Sequence, residues 1–277
     1  MKFISELCQN HNGDLELLEA MIKSAAKDSD ILKIQSIKAD TLTNRSQYEV
    51  FRPYVQEHKR LKSLELTKKD EEFFIFKCME YRVESMTTIF TPKHAGYFNE
   101  LGYTNLKLSG YSMPSFNYGK DLKNFNFKKL YFSASSLTLD ELSHTILNLK
   151  ELNIDFCLLG CTCVYPTPLE KANLQNLPFY KTYFDLEEIG YSDHSNPYED
   201  NLLTTKLAIF QGIDVLERHF TILEKDKTRD GKVSITSDML KELKRFSKLD
   251  KFTQYNELNK FSGEQTFNHA YYRGRFE

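Results

Sequence analysis

No stretch of this 277-residue chain stays apolar over the roughly 20 residues that a membrane span requires, so a transmembrane protein is not expected. Met1 leads almost directly into a strand-like run, so no signal peptide is expected either. Neither sign of charge dominates. Lys plus Arg number 37 against 39 Asp plus Glu, and the net charge of −2 offers nucleic acid no electrostatic footing. The lysine-rich stretches Lys59–Lys69 and Lys241–Lys251 are interleaved with acids and read as solvated helix faces. Five cysteines, an odd number lying in or near apolar segments, argue for reduced thiols in the cytoplasm rather than a disulfide framework. Cys161-Thr162-Cys163 lacks the spacing of a zinc knuckle and has no second pair. No linker or low-complexity segment divides the chain.

What is present is a regular alternation of short aliphatic runs with longer amphipathic ones, the pattern of βα units and a parallel sheet. Strands are expected near 3–7, 31–35, 84–88, 105–108, 129–133, 155–159, 187–190 and 214–218. Helical stretches fall at Leu15–Lys27, Lys69–Tyr81, Leu139–Leu149, Asn201–Gln211 and Ser237–Ser247. Eight such units predict a (β/α)8 TIM barrel over residues 1–249. Residues 36–66 are too long for an ordinary connection and are expected to fold over the barrel rim. Residues 250–277 form a polar and aromatic tail, expected to pack on the barrel or on a partner.

A barrel gathers its strand ends at one rim, and polar residues sit at those ends. Gly190-Tyr191-Ser192-Asp193-His194 and Leu216-Glu217-Arg218-His219-Phe220 each close an apolar run with a histidine. Neutral imidazoles from adjacent strands suit a divalent metal; hydrogen bonding to backbone is the plainer use of each. Glu6, on the first strand, faces them across the barrel closure as a ligand, as a base, or as a rim carboxylate paired to Lys33. Lys33 and Lys107 stand in otherwise apolar strands, where an unpaired ammonium is costly. With Thr88, Ser109, Ser133 and Ser192 they make a cradle for a carboxylate and a phosphate. Salt bridges to Glu84 or other rim acids are the alternative, and a Schiff-base lysine stays open. Asn10-His11-Asn12-Gly13 follows the first strand: Gly13 permits a tight turn, and capping of the next helix accounts for Asn12. Tyr165-Pro166-Thr167-Pro168 stiffens the loop after strand 6.

Over about residues 3 to 247 the chain resembles the N-acetylneuraminate (sialic acid) synthase family. The resemblance rests on Glu6 with Gln9-Asn10-His11-Asn12-Gly13, Lys33-Ile34-Gln35, Lys107-Leu108-Ser109-Gly110, Cys161-Thr162 and Tyr165-Pro166-Thr167-Pro168. It continues with Gly190-Tyr191-Ser192-Asp193-His194 and Glu217-Arg218-His219-Phe220-Thr221. It implies condensation of phosphoenolpyruvate with an aldose-type amino sugar, dependent on Mn²⁺ or Mg²⁺, giving a nine-carbon 2-keto-3-deoxy acid and phosphate. By the same resemblance His194 and His219 bind the metal and Glu6 lies beside the reacting centre. Lys33, Thr88, Lys107, Ser109, Ser133 and Ser192 hold phosphoenolpyruvate, while Gln35, Tyr165 and Asp230 face the acceptor.

Several positions depart from the family pattern. Members usually carry a C-terminal antifreeze-like domain that reaches into a partner's site, whereas this sequence stops at Glu277, so that contact is expected to be absent or replaced. Tyr111 stands where many members have an acid, Cys163 where many have asparagine or serine, and Ser133-Ala134-Ser135-Ser136 replaces Ser-Thr-Gly-Met. The expectation is therefore a condensing synthase whose acceptor is not N-acetylmannosamine, with a homo-oligomer left open. A Schiff-base aldolase and a catalytically inactive keto-acid-binding barrel are the competing readings.

Overall fold

The computed structural model describes residues 1–44, 49, 52–117, 121–123 and 125–259, leaving aside the side chains of Tyr111 and Ser115. Eight parallel strands run in chain order around a closed barrel: β1 (Lys2–Cys8), β2 (Ile31–Gln35), β3 (Glu84–Ile89), β4 (Asn105–Leu108), β5 (Lys129–Ser133), β6 (Phe156–Cys161), β7 (Ile189–Asp193) and β8 (Val215–Phe220). Pairing of β1 with β8, in which Glu6 lies opposite His219, closes the ring. A two-residue strand β9 (Ser234–Ile235) adds to the end of β8.

The outer layer consists of α1 (Leu15–Ala25), α2 (Tyr54–Leu64), α3 (Lys68–Glu80), α4 (Ala95–Leu101), α5 (Leu139–Glu151), α6 (Asn176–Tyr183), α7 (Leu203–Phe210), α8 (Ser237–Ser247) and α9 (Lys251–Asn259). Local chemistry starts several of these. Thr67 and Asp70 form a reciprocal capping box on α3, as Thr138 and Glu141 do on α5. Asn12 does not cap α1, contrary to expectation. Asp14 does, accepting from the Glu16 and Leu17 amides, while Asn12 donates to the Lys227 carbonyl at 3.2 Å. Gly13 has φ of +81°, and a Cβ there would lie 2.8 Å from the Ser63 carbonyl oxygen, so the turn requires glycine. Among the described residues, the β4–β5 connection holds a 3₁₀ turn, Gly110–Ser115.

Segment 36–66 contains a helix rather than only a loop. From α2, Arg60 donates to the Gln9 side chain at 2.9 Å, and Glu57 lies 3.7 Å from Arg229, so the helix rests on the loops after β1 and β8. The tail begins with α9, where Lys251 donates to the Phe210 carbonyl at the end of α7 at 2.6 Å. Residues 260–277 lie outside the described residues. No described helix is long and apolar enough to cross a membrane.

Two apolar regions hold the fold. The larger fills the space between strands and helices, with Leu7, Leu18, Phe74, Phe98, Phe132 and Leu216 fully or almost fully buried. The smaller is a plug inside the barrel built from Ile4, Ile31, Met86, Tyr131, Cys157, Leu159 and Val215. Side chains alternate across a strand, so the residues two positions further along each strand also point inward, one layer above the plug. That layer is polar: Glu6, Lys33, Thr88, Lys107, Ser133, Ser192 and Glu217 are all buried. The fold thus seals one end of the barrel with hydrocarbon and lines the other with charge.

Candidate active site

Two lysines and two glutamates form the floor of the polar layer. Lys33 Nζ is in direct contact with Glu6 and donates to Thr88 Oγ1 at 3.1 Å. Lys107 Nζ is in direct contact with Glu217, whose Oε1 also accepts from Ser192 Oγ at 2.8 Å. Glu217 Oε2 lies 3.7 Å from Lys33 and joins the two pairs into one cluster. Glu84, one of the rim acids considered as an alternative partner for a lysine, instead holds Lys128 at 2.7 Å.

Burial shapes the charges in this cluster. It pulls Lys33 down to about 7, with Lys107 adding to the effect and Glu217 opposing it. Direct contact with the Glu6 carboxylate favours the ammonium form all the same. Burial alone would raise Glu217, but the Lys107 and Lys33 ammoniums outweigh it and hold this carboxyl well below the usual range. Glu6 is further fixed by the Cys8 amide at 2.7 Å and approached by Gln35 Nε2 at 3.4 Å.

The two histidines lie above this floor, with ring centroids 5.3 Å apart. His194 Nδ1 is 3.1 Å from the Thr162 carbonyl, a bond that requires a proton on Nδ1. Its Nε2 therefore accepts from the Tyr165 hydroxyl at 2.9 Å, and the two rings lie 4.2 Å apart. His219 Nδ1 is buried with no hydrogen-bond partner and sits 3.9 Å from Asp230 Oδ2. Burial lowers His194 to about 3, helped by His219 and Lys107, and lowers His219 to about 4, with Lys33 adding and Asp230 opposing. Both rings are neutral at physiological pH, the form that offers a lone pair.

An ion pair on the outer face of the barrel fixes the histidines from behind. Asp193 and Arg218, each one residue before a histidine, are register partners on β7 and β8 and meet at 2.7 Å, both fully buried.

Not every expected cradle residue turns toward the lysines. Ser133 Oγ accepts from the Gly110 amide at 3.0 Å, and Ser109 Oγ bonds the Ser112 hydroxyl at 2.8 Å; both line the β4–β5 rim. Tyr165 is half-exposed over the histidines, and Asp230 accepts from Cys8 Sγ at 2.9 Å. The Tyr111 side chain lies outside the described residues. Sequence reasoning missed Glu217 and Cys8 as site residues. Glu217 lies two positions along β8 from His219, which was selected, and the two-residue period would have found it. Cys8 lies beyond a slip in the β1 register, which periodicity does not signal. Cys8, His219 and Asp230 offer ligand atoms that all lie within 4.8 Å of one another.

The profile of the NeuB family matches residues 21–254. The chain is 29% identical over 273 residues to N,N'-diacetyllegionaminic acid synthase of Campylobacter jejuni, covering 94% of this chain and 77% of that protein. It is 30% identical over 258 residues to N-acetylneuraminate-9-phosphate synthase of Homo sapiens, covering 89% and 69%. Among solved structures, the N-acetylneuraminic acid synthetase of Leptospira borgpetersenii superposes with a TM-score of 0.77 at 21% identity. That match covers 99% of this chain and 92% of the other and shows the shared barrel. The chain belongs to the NeuB family.

Proposed function

We propose that this chain condenses phosphoenolpyruvate with a sugar aldehyde, giving a 2-keto-3-deoxy sugar acid and inorganic phosphate. The observation that carries the reading is the placement of two buried ammoniums, Lys33 and Lys107, directly beneath two neutral histidines at the open end of a sealed barrel. Synthases named for different sugar acids among the relatives, including a pseudaminic acid synthase, support an acceptor other than N-acetylmannosamine. The free thiols Cys161 and Cys163 suit a reducing compartment, the cytoplasm.

In this reading Lys33 and Lys107 take the phosphate and carboxylate of phosphoenolpyruvate, with Thr88, Ser192, Ser109 and Ser133 donating from the rim. Each lysine already carries a glutamate, so the incoming anion competes with Glu6 for Lys33. Glu6, loosened from its partner, can take the proton of the water that adds at C2. C3 bonds to the aldehyde carbon, whose oxygen takes that proton from Glu6. The C2–O bond to phosphate then breaks as the C2 hydroxyl gives up its proton and closes to the ketone, with the lysines holding the leaving anion. Gln35, Tyr165 and Asp230 face the acceptor.

The donor set fits a divalent ion, Mn²⁺ or Mg²⁺. His219 Nδ1 is a buried nitrogen without a partner, and His194 donates Nδ1–H to a carbonyl, the tautomer that frees Nε2 once Tyr165 swings away. His194 and His219 would hold the ion, which when bound supplies Lewis acidity toward the aldehyde oxygen. Replacing His219 by alanine should abolish both metal retention, read by equilibrium dialysis, and phosphate release. Metal binding equal to the parent's in a His194/His219 double-alanine protein would remove this assignment.

Phosphoenolpyruvate should also raise the melting temperature. A ligand present at 100 times its dissociation constant stabilises the native state by about 2.7 kcal/mol, and no shift at millimolar ligand with Mn²⁺ would contradict the anion site.

Phosphate release measured over a panel of aldoses, with phosphoenolpyruvate and Mn²⁺ in excess, tests the reaction and its acceptor together. The expected pattern is release with some aldehydes and weak or no turnover with N-acetylmannosamine. Robust N-acetylneuraminate formation would overturn the acceptor claim and leave the condensation standing. Silence across the panel would overturn both.

A further inference from the structure

Cys8 is the last residue of β1 and an unusual occupant of its position. The register with β2 slips between Glu6 and Cys8, and Cys8 takes a left-handed backbone with φ of +51°. Glycine adopts that conformation freely, whereas a residue with a side chain is strained there. The consequence of placing a side chain here is specific. Its sulfur enters the polar layer 2.9 Å from Asp230 Oδ2, the oxygen that lies 3.9 Å from the unpartnered Nδ1 of His219. His219 is only 4% exposed, so no bulk water is at hand to satisfy that nitrogen. A thiol, an imidazole nitrogen and a carboxylate thus converge with all ligand atoms within 4.8 Å of one another.

We propose that Cys8 is a sulfur ligand of the divalent ion, acting with His219 and Asp230, so that the site is a mixed sulfur, nitrogen and oxygen centre. This rests on the reading above that the site holds such an ion, and it names two ligands that reading does not contain, Cys8 and Asp230, the latter placed there toward the acceptor. On binding, the Cys8 S–H bond breaks, its proton leaves to solvent, and the thiolate lone pair forms the sulfur–metal bond. Asp230, no longer accepting from the thiol, turns an oxygen to the same ion. A thiolate shifts preference from hard Mg²⁺ toward Zn²⁺, Co²⁺ or Fe²⁺, because soft sulfur stabilises borderline ions more than a hard one.

Cobalt reports this directly, since sulfur-to-cobalt charge transfer absorbs intensely in the near ultraviolet and nitrogen or oxygen ligands alone do not. The full chain, stripped with a chelator, is titrated with Co²⁺ and its absorption recorded. The parent should develop the band, and Cys161→Ser and Cys163→Ser should retain it. Cys8→Ser and Cys8→Gly should lose it and bind Co²⁺ at least about tenfold more weakly. The glycine variant suits the left-handed backbone and guards against a misfolded serine variant. Cobalt binding without the band in the parent, or a band that survives in both Cys8 variants, would overturn the sulfur ligand while leaving a histidine-bound ion intact. No cobalt binding at all would overturn both claims.

Discussion

Replacing Lys107 by methionine should slow phosphate release from phosphoenolpyruvate by about 100- to 1,000-fold, the usual loss when one group stabilising developing charge is removed. The fold should survive. Methionine fills much of the lysine's volume, and Glu217 keeps Lys33 at 3.7 Å and the Ser192 hydroxyl at 2.8 Å, so no carboxylate is stranded. The same variant should lose most of the thermal shift that phosphoenolpyruvate gives the parent. Circular dichroism confirms the fold and a phosphate assay reads the rate. A loss smaller than tenfold in a folded protein would remove Lys107 from the reacting centre.

Asp193→Ala should cost about 3–5 kcal/mol of folding stability, the penalty for leaving one member of a buried ion pair without its partner. The Arg218 guanidinium would stay enclosed, with only the Ser195 hydroxyl and the Ser195 and Val233 carbonyls to receive its protons. The native interaction also carries a pH signature. Burial alone would raise the Asp193 carboxyl, but Arg218 and the Thr205 and Ser195 hydrogen bonds outweigh it and depress it. A depressed carboxyl contributes fully above its unfolded value, near pH 4, and its contribution disappears as pH falls through the folded value. The parent should therefore lose stability steeply below about pH 4, and the alanine protein less so. Denaturant unfolding at neutral and acidic pH tests both points, and a change under about 1 kcal/mol at pH 7 would show that the pair does not brace the two strands.

The lower half of the barrel was legible in the sequence and the upper half only partly. Ile31–Gln35, Asn105–Leu108 and Lys129–Ser133 match their expected bounds. The later strands run further than expected: β6 continues to Cys161, β7 to Asp193 and β8 to Phe220. Above the plug the inward face turns from apolar to polar, so the apolar run stops short of Ser192 and His219 although both remain in the ladder. Charge in an apolar strand made Lys33 and Lys107 visible. Their partners were harder to see, because Lys107 and Glu217 are 110 residues apart and meet only through closure of the ring. Local offsets misled in the same way at Asn12, where Asp14 two residues on takes the cap and Asn12 reaches the loop after β8. Cys8 carries no signal as a thiol in a list of cysteines; its meaning lies in the strand end that aims it at Asp230.

The central claim is that phosphoenolpyruvate is cleaved between C2 and its bridging oxygen, in a reaction that requires an aldehyde. Phosphoenolpyruvate labelled with heavy oxygen at the bridging position, incubated with the protein, Mn²⁺ and an accepted aldose, tests it most directly by mass spectrometry of the released phosphate. The account predicts that the label leaves with phosphate and that none is released without the aldose. Unlabelled phosphate, or release that ignores the aldose, would make this barrel a phosphatase and contradict the synthase reading.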